Sequence, residues 1–572
     1  MSTTASTPRP ADRLREADQP APRQVDGLTA WIDDRTGAAP GIKYLMKKVF
    51  PDHWSFMIGE VALFSMLIAL LTGVFLTFWF DPSMAHTVYN GSYVPLQGVE
   101  MSRAYASTLD ISFDIKGGLL IRQLHHWSAL LFIVSLNVHM FRVFFTGAFR
   151  KPRELNWILG TVLSLLAIIE GFAGYSLPDD LLSGTGLRAM QGFTITTPVI
   201  GSYLVYFIFG GTFPGTDIMP RLYSVHILLI PALLLGLAIA HVVLVMVHKH
   251  TQYPGPGKTE KNVVGYPVLP IYAAKQTGFF FTVFGILTLI STFFTINAIW
   301  VHGPYDPNAT TAGAQPDWYM GFADGALRLL PGWLELDLGS FTLSLNIMLG
   351  ALVLLPLVFI IQGVYPFLEA WVTGDKREHH LLDRPRNAPV RTGLGAAALT
   401  AYGILMFAAS NDIVAIKFHL SINDITRTYQ VLIFVLPPLV FWAVKRICIS
   451  LQRADREKVL HGRETSRLMQ SAEGGFSELH EPLNEYDRWH YVSYEPTYPL
   501  LEGETGSDTP GVAGSGRKVS KARAAFSRFY FQDSINPVTP AELEAAHHDH
   551  ETHEVIEASA EPREQIEAAE KH

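Results

Sequence analysis

Four histidines carry the strongest chemical signal in the chain. His125 and His139 lie 14 residues apart in RQLHHWSALLFIVSLNVHMFR, and His226 and His241 lie 15 apart in YSVHILLIPALLLGLAIAHVVLVMVHKH. At about 100° per residue, 14 positions bring a helix back to within about 40° of its starting direction and 15 to within about 60°. Each segment therefore shows two imidazoles on roughly one face, about 21 Å apart along the axis. A lone histidine in such a setting more often bonds a helix carbonyl or lines a cavity. Four in two matched layers, at membrane depth where ionisable groups are costly, point to function. If both helices run the same way, His125 faces His226 and His139 faces His241. Two neutral imidazoles on opposite sides of a planar macrocycle are the ligation of a low-spin b-type haem, with no iron position left open. The expected chemistry is electron transfer through two stacked haems, not oxygen binding. His126 competes with His125, but its spacing of 13 to His139 turns it about 140° off the face.

Glycines and arginines frame these histidines. Gly59 and Gly73 are 14 apart, as are Gly160 and Gly174, the same spacing as His125 and His139. A glycine lets a flat cofactor approach the backbone where a Cβ would collide, although small residues also serve helix packing. Arg122 and Arg142 each stand three residues outside a histidine. They are placed to pair with haem propionates, or to snorkel to the interface.

The elements that must carry these residues are membrane helices. No Asp, Glu, Lys or Arg occurs in the 19 residues between Arg122 and Arg142, the 27 between Arg221 and Lys249, or the 31 between Asp337 and Glu369. A spanning helix needs about 20 mostly apolar residues. Eight spans are expected, at 57–80, 120–144, 156–176, 222–248, 278–301, 344–365, 392–412 and 428–448. Only the third has an acid in its interior, Glu170. The loops after spans two, four and six carry four, four and five Lys or Arg, against two, two, one and two in the others. The positive-inside rule then puts both termini in the cytoplasm. The connections 177–221 and 302–343 read as short helices on the outer surface or over a cavity.

Composition agrees. The chain has 572 residues, of which 49% are hydrophobic and 17% charged, against about 25% charged in an average soluble domain. A net charge of −8 without a basic, aromatic-interleaved patch excludes a nucleic-acid partner. One cysteine, Cys448, excludes a disulfide framework, an iron–sulfur cluster held by this chain alone and a CxxCH haem attachment. The first apolar run, near Phe56, comes too late for a cleaved signal peptide. Residues 1–49 read as a polar cytoplasmic arm and 450–572 as a solvated or partly helical cytoplasmic tail. His547, His548, His550 and His553 in that tail are possible metal ligands.

Together with GYSLP (174–178) and PDWY (316–319), the histidines and glycine pairs resemble cytochrome b of the quinol:cytochrome c reductases, the cytochrome bc complexes, over about 55–450. The polar ends and undivided eight-span form are most similar to the actinobacterial menaquinol:cytochrome c reductase subunit. The resemblance implies an all-α integral membrane protein. A four-helix di-haem domain at 50–250 would be followed by a second four-helix domain at 251–449 that holds PDWY. It implies two b-type haems, the outer on His125 and His226 and the inner on His139 and His241. At an outer site a quinol, menaquinol by this likeness, would give one electron to a Rieske iron–sulfur subunit and one to the outer haem. The second electron would cross to the inner haem and reduce quinone near the cytoplasm, building a proton gradient. A cytochrome c subunit, a cytochrome c oxidase in a supercomplex, membrane lipid and a second copy of the complex would be partners.

PDWY implies that Asp317 takes the quinol proton and that Tyr319 positions the Rieske cluster or bonds the quinone. Much of the family has Glu at this place, so the shorter Asp317 reaches less far and a water would bridge. The simpler role for Asp317 is to cap a helix starting at Trp318. Residues 186–201 match the other wall of this site. Glu170 stands where it would relay protons beside the outer haem or bond a neighbouring helix. At the inner quinone site the family's acid before the fifth span is missing from YPVLPIYAAKQTG. Glu60 and His248 are the residues expected there, with Lys275, Gln276 and His250 nearby. The spacing of 15 in the fourth span matches plastid-type members, where mitochondrial ones have 14, and Pro231 should kink the helix and absorb the extra residue. A proton-relay transporter would need internal repeats, and none is visible. A dehydrogenase-type di-haem anchor would lack PDWY.

Overall fold

The structure is a computed structural model that describes residues 27–309, 314–339, 342–492, 501 and 519–546. In lipid every backbone group must be bonded within the protein, which leaves helices as the solution for the long apolar runs. Among the described residues eight helices are long and apolar enough to cross a membrane. They are α1 (Trp54–Thr77), α2 (Gly118–Phe145), α3 (Glu154–Ser176), α4 (Ile218–His248), α5 (Val268–Phe293), α6 (Leu345–Thr373), α7 (Pro389–Ala408) and α8 (Ile422–His461). Many of their large apolar side chains, Leu71, Phe281 and Phe434 among them, are exposed on the protein surface, as suits helices facing lipid.

Several boundaries differ from the sequence reading, and three of the differences have a cause in the contacts. The fifth span ends at Phe293 instead of 301, although the chain stays apolar beyond it. Side chains at the outer end of α2 take the next carbonyls: Trp127 Nε1 donates to Phe294 O at 2.9 Å, Gln123 Nε2 to Ile296 O at 3.0 Å and Arg122 Nη2 to Asn297 O at 3.0 Å. The sixth span runs on to Thr373, because the charge that closes its window, Glu369, is buried against Arg391 at 2.9 and 2.5 Å. The eighth continues to His461, well past its apolar part.

The fourth helix contains a wide turn. Val225–Leu229 is π-helical and leads into an α-helix whose second residue is Pro231. Proline has no N–H to give to the preceding turn, and a π-turn takes in one extra residue. That extra residue lets a spacing of 15 present both histidines to one side. Pro356 follows the π-helical Met348–Leu354 of α6 in the same way.

Contacts divide the chain into two units, Met1–Phe50 with Gly265–Gly278, and Pro51–Val264 with Phe279–His572. In the first, helices Leu28–Thr36 and Ala38–Lys47 precede a strand, Val49–Phe50, paired antiparallel with Tyr266–Pro267. The described end of the polar arm is therefore ordered secondary structure. In the second unit α1 packs on α2, α3 on α4, and α2 on α3. Ala62, Ile133, Leu136, Ala167, Ile168 and Tyr319 form an apolar cluster, its helical members coming from positions between the two histidine layers. The 177–221 connection folds as the short helices Leu181–Ile195 and Gly201–Phe209. The first is capped by Asp180, which accepts from Leu182 N at 3.2 Å.

Beyond residue 450 the described chain is more folded than its polarity suggested. A hairpin (Arg463–Gln470 with Phe476–Glu481) and the helices Glu485–Tyr491 and Lys521–Phe531 follow α8. Val459, Leu483, Val492 and Val538 bury one another. These apolar residues are too far apart in sequence to raise local hydropathy. The histidines 547–553 lie outside the described residues.

Candidate functional site: two layers of paired histidines

The two helices α2 and α4 bring the four histidines together as two pairs. The ring centres of His125 and His226 are 6.1 Å apart and those of His139 and His241 are 6.4 Å apart. Two metal–imidazole bonds of about 2 Å, with about 1.1 Å more from each nitrogen to its ring centre, put trans imidazoles about 6 Å apart. Each pair thus has the span of a metal held between two imidazoles. No group of three or more His, Cys, Asp or Glu is placed to hold a bare ion among the described residues. A metal at either pair must bring its remaining donors with it, as an iron porphyrin does.

The surroundings fit such a group. A Cβ on Gly174 would lie 2.4 Å from His226 Cε1, on Gly59 2.9 Å from His139 Nδ1, and on Gly73 3.2 Å from His125 Cε1. These glycines make room for the imidazole rings. Gly160 is the exception, because its Cβ would meet His241 at an ordinary 3.9 Å. His125 Nδ1 faces Ala69 O and Thr72 Oγ1, each at 3.0 Å, which orients the ring and leaves Nε2 free for a metal. His226 Nδ1 lies 3.1 Å from Glu170 Oε1. His126 lines the same cavity but is not part of either pair.

Both arginines sit beside these layers with part of their guanidinium unused. Arg122 donates Nη2 to Asn297 O and packs 5.6 Å from the Trp300 ring centre, while its Nε is buried without a hydrogen bond. Arg142 stacks 4.4 Å from the Phe56 ring centre, with Nε and Nη2 buried and without hydrogen bonds. Buried cationic donors of this kind call for an anionic acceptor.

Around the outer pair the protein leaves a cavity of about 270 Å³. Gly73, Arg122, His125, Glu170, His226, Asp317 and Tyr319 are all on its wall. Asp317 does precede a short 3-10 turn, Trp318–Met320, but its carboxylate does not cap it. Instead it accepts a 2.7 Å hydrogen bond from the Tyr319 hydroxyl. Burial pushes the Asp317 carboxyl above the usual range, and burial with the Asp317 charge pushes the Tyr319 phenol up. Tyr319 reaches Gly171 of α3, where a Cβ would lie 2.5 Å from its hydroxyl. Tyr175 also lines this cavity. Sequence reasoning passed it over inside GYSLP, where its position next to Gly174 was the available signal.

The inner pair borders a smaller cavity of about 100 Å³, lined by Arg142, Arg153, Asn156, Lys249 and His250 but by no Asp or Glu. Arg153 is committed to structure, donating to His379 O at 2.6 Å, Lys249 O at 2.9 Å and His248 O at 3.2 Å. Of the two histidines at the end of α4, His250 lines the cavity and His248 does not. Burial lowers the His250 pKa to about 4, so it is neutral there. Glu60 lies in the first turn of α1, and it too is off this cavity's wall.

The chain matches known proteins in family, in sequence and in fold. A family model described as "Cytochrome b(N-terminal)/b6/petB" matches residues 130–304. The chain is 54% identical over 534 residues to the cytochrome bc1 complex cytochrome b subunit of Streptomyces coelicolor, covering 93% of this chain and 96% of that one. It is 50% identical over 489 residues to the subunit of the same description from Mycobacterium tuberculosis (strain ATCC 25618 / H37Rv), covering 85% and 88%. A solved structure described as "Hyperthermophilic respiratory Complex III" shares the fold, with a TM-score of 0.55 at 19% identity over 74% of this chain and 99% of that one.

Proposed function

This chain belongs to the cytochrome b subunits of bacterial cytochrome bc1 complexes, and from that premise we propose that it oxidises a quinol at the outer cavity and carries electrons inward between two b-type haems. It is a multi-pass membrane protein and a component of a respiratory quinol:cytochrome c oxidoreductase. Bound at each histidine pair, a b-type haem supplies a reversible one-electron carrier. His125 and His226 hold the outer group, and His139 and His241 the inner. Arg122 and Arg142 offer their unused donors to its carboxylates. The observation that carries this reading is the pair of 6.1 and 6.4 Å imidazole separations, stacked on two helices.

At the outer cavity Asp317 accepts a proton from the quinol hydroxyl. Burial raises its pKa, which makes it a stronger base than an exposed carboxylate. Tyr319 orients the carboxylate through its hydrogen bond. The quinol is a menaquinol by the actinobacterial likeness. Quinone reduction takes place on the inner side, where His248 and Glu60 are the residues proposed to supply protons, and turnover builds a proton gradient. Rieske and cytochrome c subunits are the direct partners, in a dimeric complex that joins a cytochrome c oxidase, with both termini of this chain in the cytoplasm. Residues 50–250 form the di-haem part and 251–449 the part bearing PDWY. The test is quinol-driven reduction in the purified complex. Asp317→Asn is expected to slow it at least tenfold with haem content intact. An unchanged rate removes Asp317 from the proton path.

A further inference from the structure

The two histidine pairs differ in what stands behind them. At the outer pair, Glu170 Oε1 lies 3.1 Å from His226 Nδ1, with both side chains more than four-fifths buried. Across the same layer His125 faces only neutral acceptors, Ala69 O and Thr72 Oγ1. At the inner pair no carboxylate lines the adjoining cavity. Glu170 and Gly174 are four apart on α3 and so share a face. Gly174 admits the ring of His226, where a Cβ would stand 2.4 Å from Cε1, and Glu170 meets its outer nitrogen. The ring is seated from two adjacent turns of one helix.

We propose that Glu170 is a positioning residue that makes His226 the more electron-rich axial ligand and thereby lowers the reduction potential of the outer haem. The inference rests on the haem reading above. A carboxylate behind a metal-bound imidazole fixes its tautomer and raises its basicity. A more basic ligand and a nearby negative charge both favour the oxidised iron, and in a water-poor setting the charge acts more strongly. A carboxyl group placed only to bond a neighbouring helix would leave the potential untouched.

The experiment is a redox titration of the purified full complex, followed by b-type absorbance and low-temperature spin resonance. Glu170→Gln keeps the size and an acceptor oxygen but removes the charge. The midpoint of the outer component, identified in a His139→Leu background, is expected to rise and its spin-resonance signal to shift, with the inner component unchanged. Glu170→Asp is expected to keep most of the native midpoint. An unmoved outer midpoint in Glu170→Gln, or an equal shift of both components, overturns the proposal. If Glu170→Gln loses the outer haem, Glu170→Asp decides: a native midpoint supports the proposal, and a raised midpoint or a lost haem overturns it. A native complex without two b-type components would instead sink the haem reading itself.

Discussion

At the scale of single residues, each role separates into a measurable effect. His139→Leu or His241→Leu should remove one b-type signal and leave the other, as read in a reduced-minus-oxidised spectrum; loss of both would mean that the layers are not independent. Gly174→Ala should abolish the outer signal, because the new methyl would sit 2.4 Å from His226. Asp317 sets a pH dependence. Its burial raises the pKa, so the carboxylate that takes the proton is fully present only above that raised value. Quinol oxidation should therefore climb with pH through a value above the ordinary carboxylate range, and Asp317→Asn should flatten that limb. The four histidines were legible in sequence because helical periodicity is a local rule and their type is costly in lipid. Their partners were not. Thr72 and the Ala69 carbonyl meet His125 from another helix, so no spacing along one segment announces them.

At the scale of elements, the charge-free windows located the helices, and the errors came where tertiary contacts replaced a membrane boundary. Arg391 and Glu369 each ended a window as if at an interface. In the structure the two side chains bond each other, with Asp383 2.8 Å from Arg391 and Arg150 3.0 Å from Asp383. Removing one member of a buried pair strands the other, at a cost of about 3–5 kcal/mol. Glu369→Ala should accordingly lower the thermal midpoint of the purified complex by several degrees while the b-type spectrum at low temperature stays native. The same reasoning explains α5, whose apolar continuation past Phe293 gave no reason to stop. The donors that end it, Arg122, Gln123 and Trp127, come from α2. Pro231 was readable as a disturbance in the fourth span. That the disturbance is a π-turn, and not a simple bend, follows from the need to bring two histidines 15 apart to one side.

At the scale of the whole molecule, the alternating Lys and Arg counts of the loops predict an orientation that accessibility can test. A tag in the 177–221 connection should be reached from outside intact cells, and one in the 376–391 loop only after permeabilisation; the reverse pattern would invert the proposed direction of proton release. The relatives named above share 54% and 50% identity over most of both chains. The central claim, that this one chain holds two stacked b-type haems, depends on the four imidazoles. Haem extracted from the purified complex and divided by the amount of this chain tests it most directly. After subtraction of any covalently attached c-type haem, two b-type haems per chain is the expected result. One per chain, or none, would contradict it.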